Sequence, residues 1–458
     1  MSEQVSVEDL WSSLDGSAGR ERCETLIALG ERLLDDEEFG QALPLVETAA
    51  EESEALDDAR LALEAHVLRG RLLYALDRFS ESASAHLRAA ELAESVLDVA
   101  GAGSGFALAA DSLTRDGDLE AATTCAERAE AAFVAADDDH GAANLALIVG
   151  RLLWRRDHNV AALAALDRAR TLFRRLRIPS GVLDADDLSA AALLDDGRAD
   201  EAVRVLEASL HVAPSLDGWS VAYTQRQLAR ALRRAGRAEE ALPLLEEALA
   251  TLTGSHALLD AAATRLEQAK CLRALGRTVE ALLALAAARA HFDVIGADSD
   301  VTECDETHAG WLHTEGRHAE AAKLNERVAD HADAGIAYLA TSRLADNHRQ
   351  GGDPHRCLDV LAAARDVPAP SPGAALFRAG VRARALLETE RPDEARTEAR
   401  RALEDAPAGA SAELLAVLHE VLALTEVEGQ DHRARAVALH LAAGDAARAA
   451  RLAEGLLQ

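Results

Sequence analysis

Gly236-Arg237-Ala238-Glu239-Glu240-Ala241-Leu242-Pro243-Leu244-Leu245-Glu246-Glu247-Ala248-Leu249 decides the reading of this chain. A glycine, able to take the left-handed geometry that ends a helix, precedes apolar residues spaced i, i+3, i+4 and i+7, the pattern of an amphipathic helix. Gly276 to Ala288 and Gly197 to Leu210 repeat it. With Ala241 as marker, the series runs Ala42, Ser82, Ala122, Ala162, Ala202, Ala241, Ala281, Ala321, Cys357, Ala395 and Ala434, in steps of 40, 40, 40, 40, 39, 40, 40, 36, 38 and 39. A fixed period of this length means one supersecondary unit stacked on copies of itself.

Further columns keep step with the marker. Nine residues before it stands leucine, from Leu33 to Leu386, with His348 and Thr425 as substitutes. Twelve before it stands Gly30, Gly70, Gly150 or, in most other copies, alanine, small enough to let paired helices approach closely. Five before it comes the helix stop: Gly117, Gly197, Gly236, Gly276, Gly316, Gly352 and Gly429, with Glu37, Asp77, Asp157 and Glu390 elsewhere. Each unit therefore reads as helix, tight turn, helix. The expected fold is all-α, a right-handed superhelical α-solenoid of about eleven helix-turn-helix repeats.

The quoted stretches resemble the tetratricopeptide repeat family, over roughly residues 20–458. The period here is near 40 rather than the family's usual 34, and leucine and alanine replace most of its aromatic residues. Long repeats of this kind resemble those of bacterial regulatory and peptide-sensing proteins. Breaks in the spacing predict an N-terminal cap at 1–19 with a short helix around Val7–Leu14, repeats 1–9 at 20–366, repeats 10–11 at 371–444, and a capping helix at 445–458. Between the two blocks of repeats, Pro368, Pro370 and Pro372 deny helix hydrogen bonds and predict a bend.

Composition narrows the function. A net charge of −31 argues against direct nucleic-acid binding, which needs a basic footprint. No stretch approaches the ~18–20 uninterrupted apolar residues of a membrane span, and the start of the chain lacks a signal-peptide pattern; a cytoplasmic protein is expected. Cys23, Cys125, Cys271, Cys304 and Cys357 are far apart, without CxxC spacing, and read as structural thiols. Arginine outnumbers lysine 46 to 2, which suggests a bacterial gene of high GC content.

In the family resembled, the first helix of each unit lines a concave groove and the second packs outside. The resemblance then places Arg226, Arg230 and Arg233 on one first-helix face, spaced i, i+4, i+7, with Arg234 beside them. Lys270 and Arg273 follow from the next unit, Arg151 and Arg155 near Trp154 from an earlier one, and Arg115 and Tyr223 lie on or near the same surface. Arginine's planar fork grips carboxylate or phosphate bidentately, so this strip predicts an acidic guest. The strip loosely resembles the family's carboxylate clamp, although the middle repeats lack the clamp's asparagines. The bland reading pairs these arginines with Glu239, Glu240, Glu246 and Glu247.

Other constellations are weaker. Cys304 and His308 stand i, i+4 near Trp311, but two ligands do not make a zinc site. Acidic runs at 35–38 and 137–139, and the trio Asp184, Asp186 and Asp187, read as solvated helix caps. No GxGxxG, GxxxxGK[ST], HExxH or GxSxG occurs. The expectation is a non-catalytic scaffold for a protein or peptide, needing no cofactor or metal. The alternative is a regulatory sensor of a peptide or metabolite; an all-helical enzyme ranks third.

Overall fold

The computed structural model describes residues 7–454, apart from 15, 37, 255–256, 332, 408–409 and 427–428. Residues 1–6 of the expected N-terminal cap, Glu37 among the helix stops, and 455–458 of the final segment lie outside the described residues. Among those described there are 24 α-helices, one 3-10 turn at Ala213–Ser215 and no strand.

After α1 (Val7–Leu14), first and second helices alternate. The pairs are α2 (Arg20–Asp35) with α3 (Phe39–Ala55), α4 (Ala59–Ala75) with α5 (Phe79–Ser95), α6 (Val99–Asp116) with α7 (Leu119–Ala136), and α8 (Asp139–Arg155) with α9 (Asn159–Leu176). There follow α10 (Pro179–Asp195) with α11 (Ala199–Leu210), α12 (Gly218–Arg234) with α13 (Ala238–Gly254), α14 (Leu258–Ala274), and α15 (Thr278–Ile295). The remainder are α16 (Asp298–Thr314) with α17 (His318–Ala329), α18 (Ala334–Gln350) with α19 (Pro354–Ala363), α20 (Pro372–Glu388) with α21 (Pro392–Glu404), α22 (Ala412–Thr425) with α23 (Gln430–Ala442), and α24 (Ala446–Glu454). The chain forms two compact units, Met1–Thr278 and Val279–Gln458. It is an all-α solenoid of helical hairpins.

The columns have visible packing reasons. The marker is fully buried in each copy from Ala42 to Ala395, but the last, Ala434, is exposed and Ala436 is buried in its place. A Cβ on Gly30, Gly70 or Gly150 would come within 2.6 Å of Val46, His86 or Leu166, the side chain four residues past each marker. Those glycines are seats for second-helix side chains. The helix-stop residues at 77, 117, 157, 197, 236, 276, 316, 352 and 390 all have positive φ. Gly429 does not, at φ −70°; a Cβ there would lie 2.5 Å from the Ala423 carbonyl, so its glycine serves close approach instead. Turns between repeats use the same geometry at Asp57, Leu97, Asp137 and Arg177, so the left-handed residue recurs every 20 positions from 57 to 197.

Asp58, Asp98, Asp138, Asp217, Asp333 and Asp353 cap helices, each side chain accepting from backbone N–H groups two or three residues on. The trio Asp184, Asp186 and Asp187 is different. It sits within α10, and Asp186 is buried, accepting from Arg170 Nε and, at 2.6 Å, from Ser209 Oγ. None of the three is a cap, because the repeat phase carries them into the body of a first helix, and only Asp184 is exposed.

In each unit, most successive first helices touch. α2 meets α4, α6 meets α8, and α8, α10, α12 and α14 follow in turn; in the second unit α18 meets α20 and α20 meets α22. No two successive second helices make comparable contact among the described residues. The first helices therefore form the inner layer of each unit, and a site built from several repeats must be sought on them.

Candidate functional site

The first-helix face of the first unit holds the expected basic strip, and the structure gives most of its members partners. Arg151 pairs with Asp111, which also accepts from Tyr74 Oη at 2.9 Å. Trp154 Nε1 donates to Asp195 at 2.9 Å, and Arg155 to the Arg115 carbonyl at 3.4 Å. Tyr223 Oη donates to Asp187 at 2.9 Å; Arg226 lies 3.3 Å from Asp260 and Arg233 2.5 Å from Glu267. Arg234 bonds the Leu194 carbonyl, and Arg273 donates to Thr278 Oγ1 at 3.0 Å. Lys270 adds its charge near the Cys271 thiol, and Arg230 is exposed and acts on Asp187 through its charge.

The partner acids are not Glu239, Glu240, Glu246 and Glu247. Glu240 accepts from Arg237, and Glu247 from Gln225. The strip instead pairs with Asp111, Asp195, Asp260 and Glu267, most of them one repeat away on a neighbouring first helix. Asp187 lies on the same face, part-buried, and burial pushes its carboxyl above the ordinary range, while Asp184 is exposed. Arg151, Arg226 and Arg233 thus form an ion-paired ladder joining repeats.

The second unit carries a different site. A cavity of about 410 Å³ opens on first helices of four successive repeats. Its wall is formed by Ala309, Gly310 and His313 of α16, by Arg343, Asp346, Asn347 and Gln350 of α18, by Phe377, Gly380, Val381 and Arg384 of α20, and by Glu413, Leu414 and Val417 of α22. Asn325 of α17 and Arg448 of α24 complete it. A cavity of this size with apolar walls and a few convergent polar groups is the usual form of a ligand site, at the small end of the ~300–1,000 Å³ range.

Its polar groups are held in place. His313 Nδ1 lies 2.8 Å from Asn347 Oδ1, and its Nε2 lies 3.2 Å from Gln350 Nε2. Asn347 Nδ2 donates to the Arg343 carbonyl at 3.0 Å, and Asp346 accepts from Gln350 and Arg349 at 2.7 Å each. Beneath the wall, Glu420 accepts from Arg384 at 3.0 Å, from Arg448 Nε and Nη2 at 2.6 and 2.7 Å, and pairs with His440 at 2.7 Å. Burial pushes the Glu420 carboxyl up, but Arg448 and Arg384 outweigh it and hold the group below the ordinary range. Burial, then repulsion from Arg448, lowers the pKa of Arg384. Two guanidiniums share one carboxylate, and both face the cavity.

Sequence reasoning missed this site because, Ala309 apart, its residues stand in none of the columns that mark the repeat. Two signals were present. Gly310 and Gly380 stand inside helices, where glycine costs roughly 0.5–1 kcal/mol against alanine, and neither has the positive φ that would call for it. Asn325 and Asn347 supply, in the later repeats, the residue type wanting in the middle ones.

Other groups stay structural. All five cysteines are free and buried, and burial pushes the Cys271 and Cys357 thiols up to about 12. Among the described residues no three His, Cys, Asp or Glu side chains gather to hold a metal, and no helix is long and apolar enough to cross a membrane.

Residues 182–253 match the tetratricopeptide repeat family, and so span the stretches Gly197 to Leu210 and Gly236 to Leu249. No curated protein matches the chain. Among solved structures, a Rap protein complexed with competence and sporulation factor is 14% identical, covering 76% of this chain and 99% of its own, with a TM-score of 0.47. Aspartyl phosphate phosphatase F from Bacillus subtilis is 12% identical, covering 77% and 95%, at 0.43. A signal transduction ATPase with a tetratricopeptide repeat sensor from Pyrococcus horikoshii is 14% identical, covering 76% and 52%, at 0.49. Residues 182–253 thus carry repeats of tetratricopeptide type.

Proposed function

We propose that this array of tetratricopeptide-type hairpins is a non-catalytic binding module that holds a protein or peptide segment against its first helices. The cavity of the second unit is its anchor. The observation that carries this reading is that four consecutive first helices converge on one cavity with apolar, amide and guanidinium walls. In the first unit, by contrast, Arg151, Arg226 and Arg233 are matched by acids one repeat away. A preference for acidic segments is therefore assigned to Arg384 and Arg448, which share Glu420, with exposed Arg230 as a secondary contact. Five free buried thiols suit a reducing compartment such as the cytoplasm.

A sensor is the second reading, favoured by the double role of Arg384 and Arg448. Both line the cavity, and through Glu420 both tie α20, α22, α23 and α24 together. An anion in the cavity would compete with Glu420 for them and shift those helices.

Selection of displayed random octapeptides on the full chain tests the docking reading. Enriched peptides should bind the full chain and lose at least tenfold in affinity when Val417→Trp fills the cavity. Enrichment no greater than on an unrelated helical protein would end the reading. Solution scattering with and without a selected peptide separates the two modes: a sensor changes its dimensions on binding, and a rigid scaffold keeps them.

A further inference from the structure

We propose that the cavity of the second unit takes a compact zwitterion, a molecule bearing both an α-ammonium and an α-carboxylate beside one apolar group. This rests on reading that cavity as the binding site, and names the chemistry of its guest.

Three observations converge. The first is a surplus of donors on one side. Glu420 occupies Nη2 of Arg384 and Nε and Nη2 of Arg448, and no acceptor among the described residues takes their remaining N–H groups. A carboxylate fits there, because guanidinium donors in a fixed fork match its two oxygens. The second is an acceptor with nothing to accept. Asn325 is 1% exposed, lines the cavity, and its Oδ1 is buried without a hydrogen-bond partner. An unmatched buried acceptor costs about 1–3 kcal/mol, a cost that a guest N–H removes. Glu413, exposed on the first turn of α22, has no ion-pair partner among the described residues and supplies the countercharge for an ammonium.

The third is shape. Phe377, Val381, Leu414 and Val417 offer an apolar wall, while Gly310 and Gly380 withhold side chains from the space. A Cβ built on Gly310 meets nothing within 4 Å, so the position is open rather than tightly packed. At about 410 Å³ the cavity suits a single amino acid or a dipeptide, not a folded partner.

The experiment is calorimetric titration of the full chain with the free amino acids, with a panel of Xaa-Leu dipeptides, and with the N-acetyl and C-amide forms of any that bind. At least one uncapped compound should bind, and each cap should weaken it tenfold or more. Glu413→Gln, at an exposed position, should cost about tenfold, and Gly310→Leu, whose Cβ meets nothing within 4 Å, should abolish binding while leaving the circular dichroism spectrum intact. Whether amino acids or dipeptides bind more tightly identifies the source of the zwitterion. Capped and uncapped forms binding alike would overturn the proposal. So would a panel with no binder; if display-selected octapeptides nonetheless bind, the docking reading stands alone, and if they also fail, both fall.

Discussion

The guanidinium of Arg226 stands 3.3 Å from the carboxylate of Asp260, 34 positions later on the next first helix. Trp219 Nε1 reaches that same carboxylate at 2.7 Å from 41 positions away. Tyr74 with Asp111, Trp154 with Asp195 and Tyr223 with Asp187 span the same interval of one repeat. The period that stacks the leucines thus also sets a polar ladder along the inner layer. Each rung joins neighbours only, so its loss is felt locally.

Arg233 and Glu267 form the rung with the most to lose. Glu267 is 6% exposed, and Arg233→Ala would strand its charge. The expected cost is about 3 kcal/mol, since removing one partner of a buried pair leaves the other uncompensated. Replacing both by leucine should recover most of it. Denaturant unfolding gives the magnitude, and hydrogen exchange should show protection lost in α12 and α14.

Two histidines make stability depend on pH. Burial lowers the pKa of His86 to about 4; burial, then the neighbouring His432, lowers that of His419 to about 4. Unfolded, each titrates near 6.5, so between pH 6.5 and about 4 the unfolded chain binds more protons than the folded one. Stability is then full above 6.5 and falls as pH drops towards 4, by at most about 3 kcal/mol for each group. Denaturant unfolding at pH 7 and 4.5 should show the fall, and His86→Gln should make it smaller.

The left-handed turns separate permitted from strained residues. Arg177 at φ 58° and Glu390 at φ 58° hold a geometry that costs an L-residue roughly 1–2 kcal/mol. Arg177→Gly and Glu390→Gly should each stabilise by about 0.5–1 kcal/mol, the entropy of glycine in the unfolded chain offsetting part of the gain. Gly236→Ala, at φ 77°, should destabilise by about 1 kcal/mol. Thermal melts of the three variants check the signs.

Among the described residues, Glu420 is the one carboxylate paired with all of Arg384, Arg448 and His440. Glu420→Gln should destabilise the second unit by about 3 kcal/mol, because two guanidiniums lose their countercharge. The measurement is hydrogen exchange, with protection expected to fall in α20, α22 and α24. Aspartate at the same position keeps the charge and should cost less.

The repeat itself was open to reading because it is a local property. Helix periodicity, left-handed stops and small-residue columns depend on residues a few positions apart, and eleven copies make them visible without any partner. Exceptions came where contacts overrode the column. Gly429 serves an approach to Ala423, and Asp186 is held inside α10 by Arg170 and Ser209. Tertiary structure alone decided which acids meet which arginines, since Asp111 and Arg151 are 40 residues apart and composition cannot pair them. It also decided the site. Gly310, Asn325, Glu413 and Arg448 stand on four different helices with no shared motif, and become one cavity only when the hairpins stack.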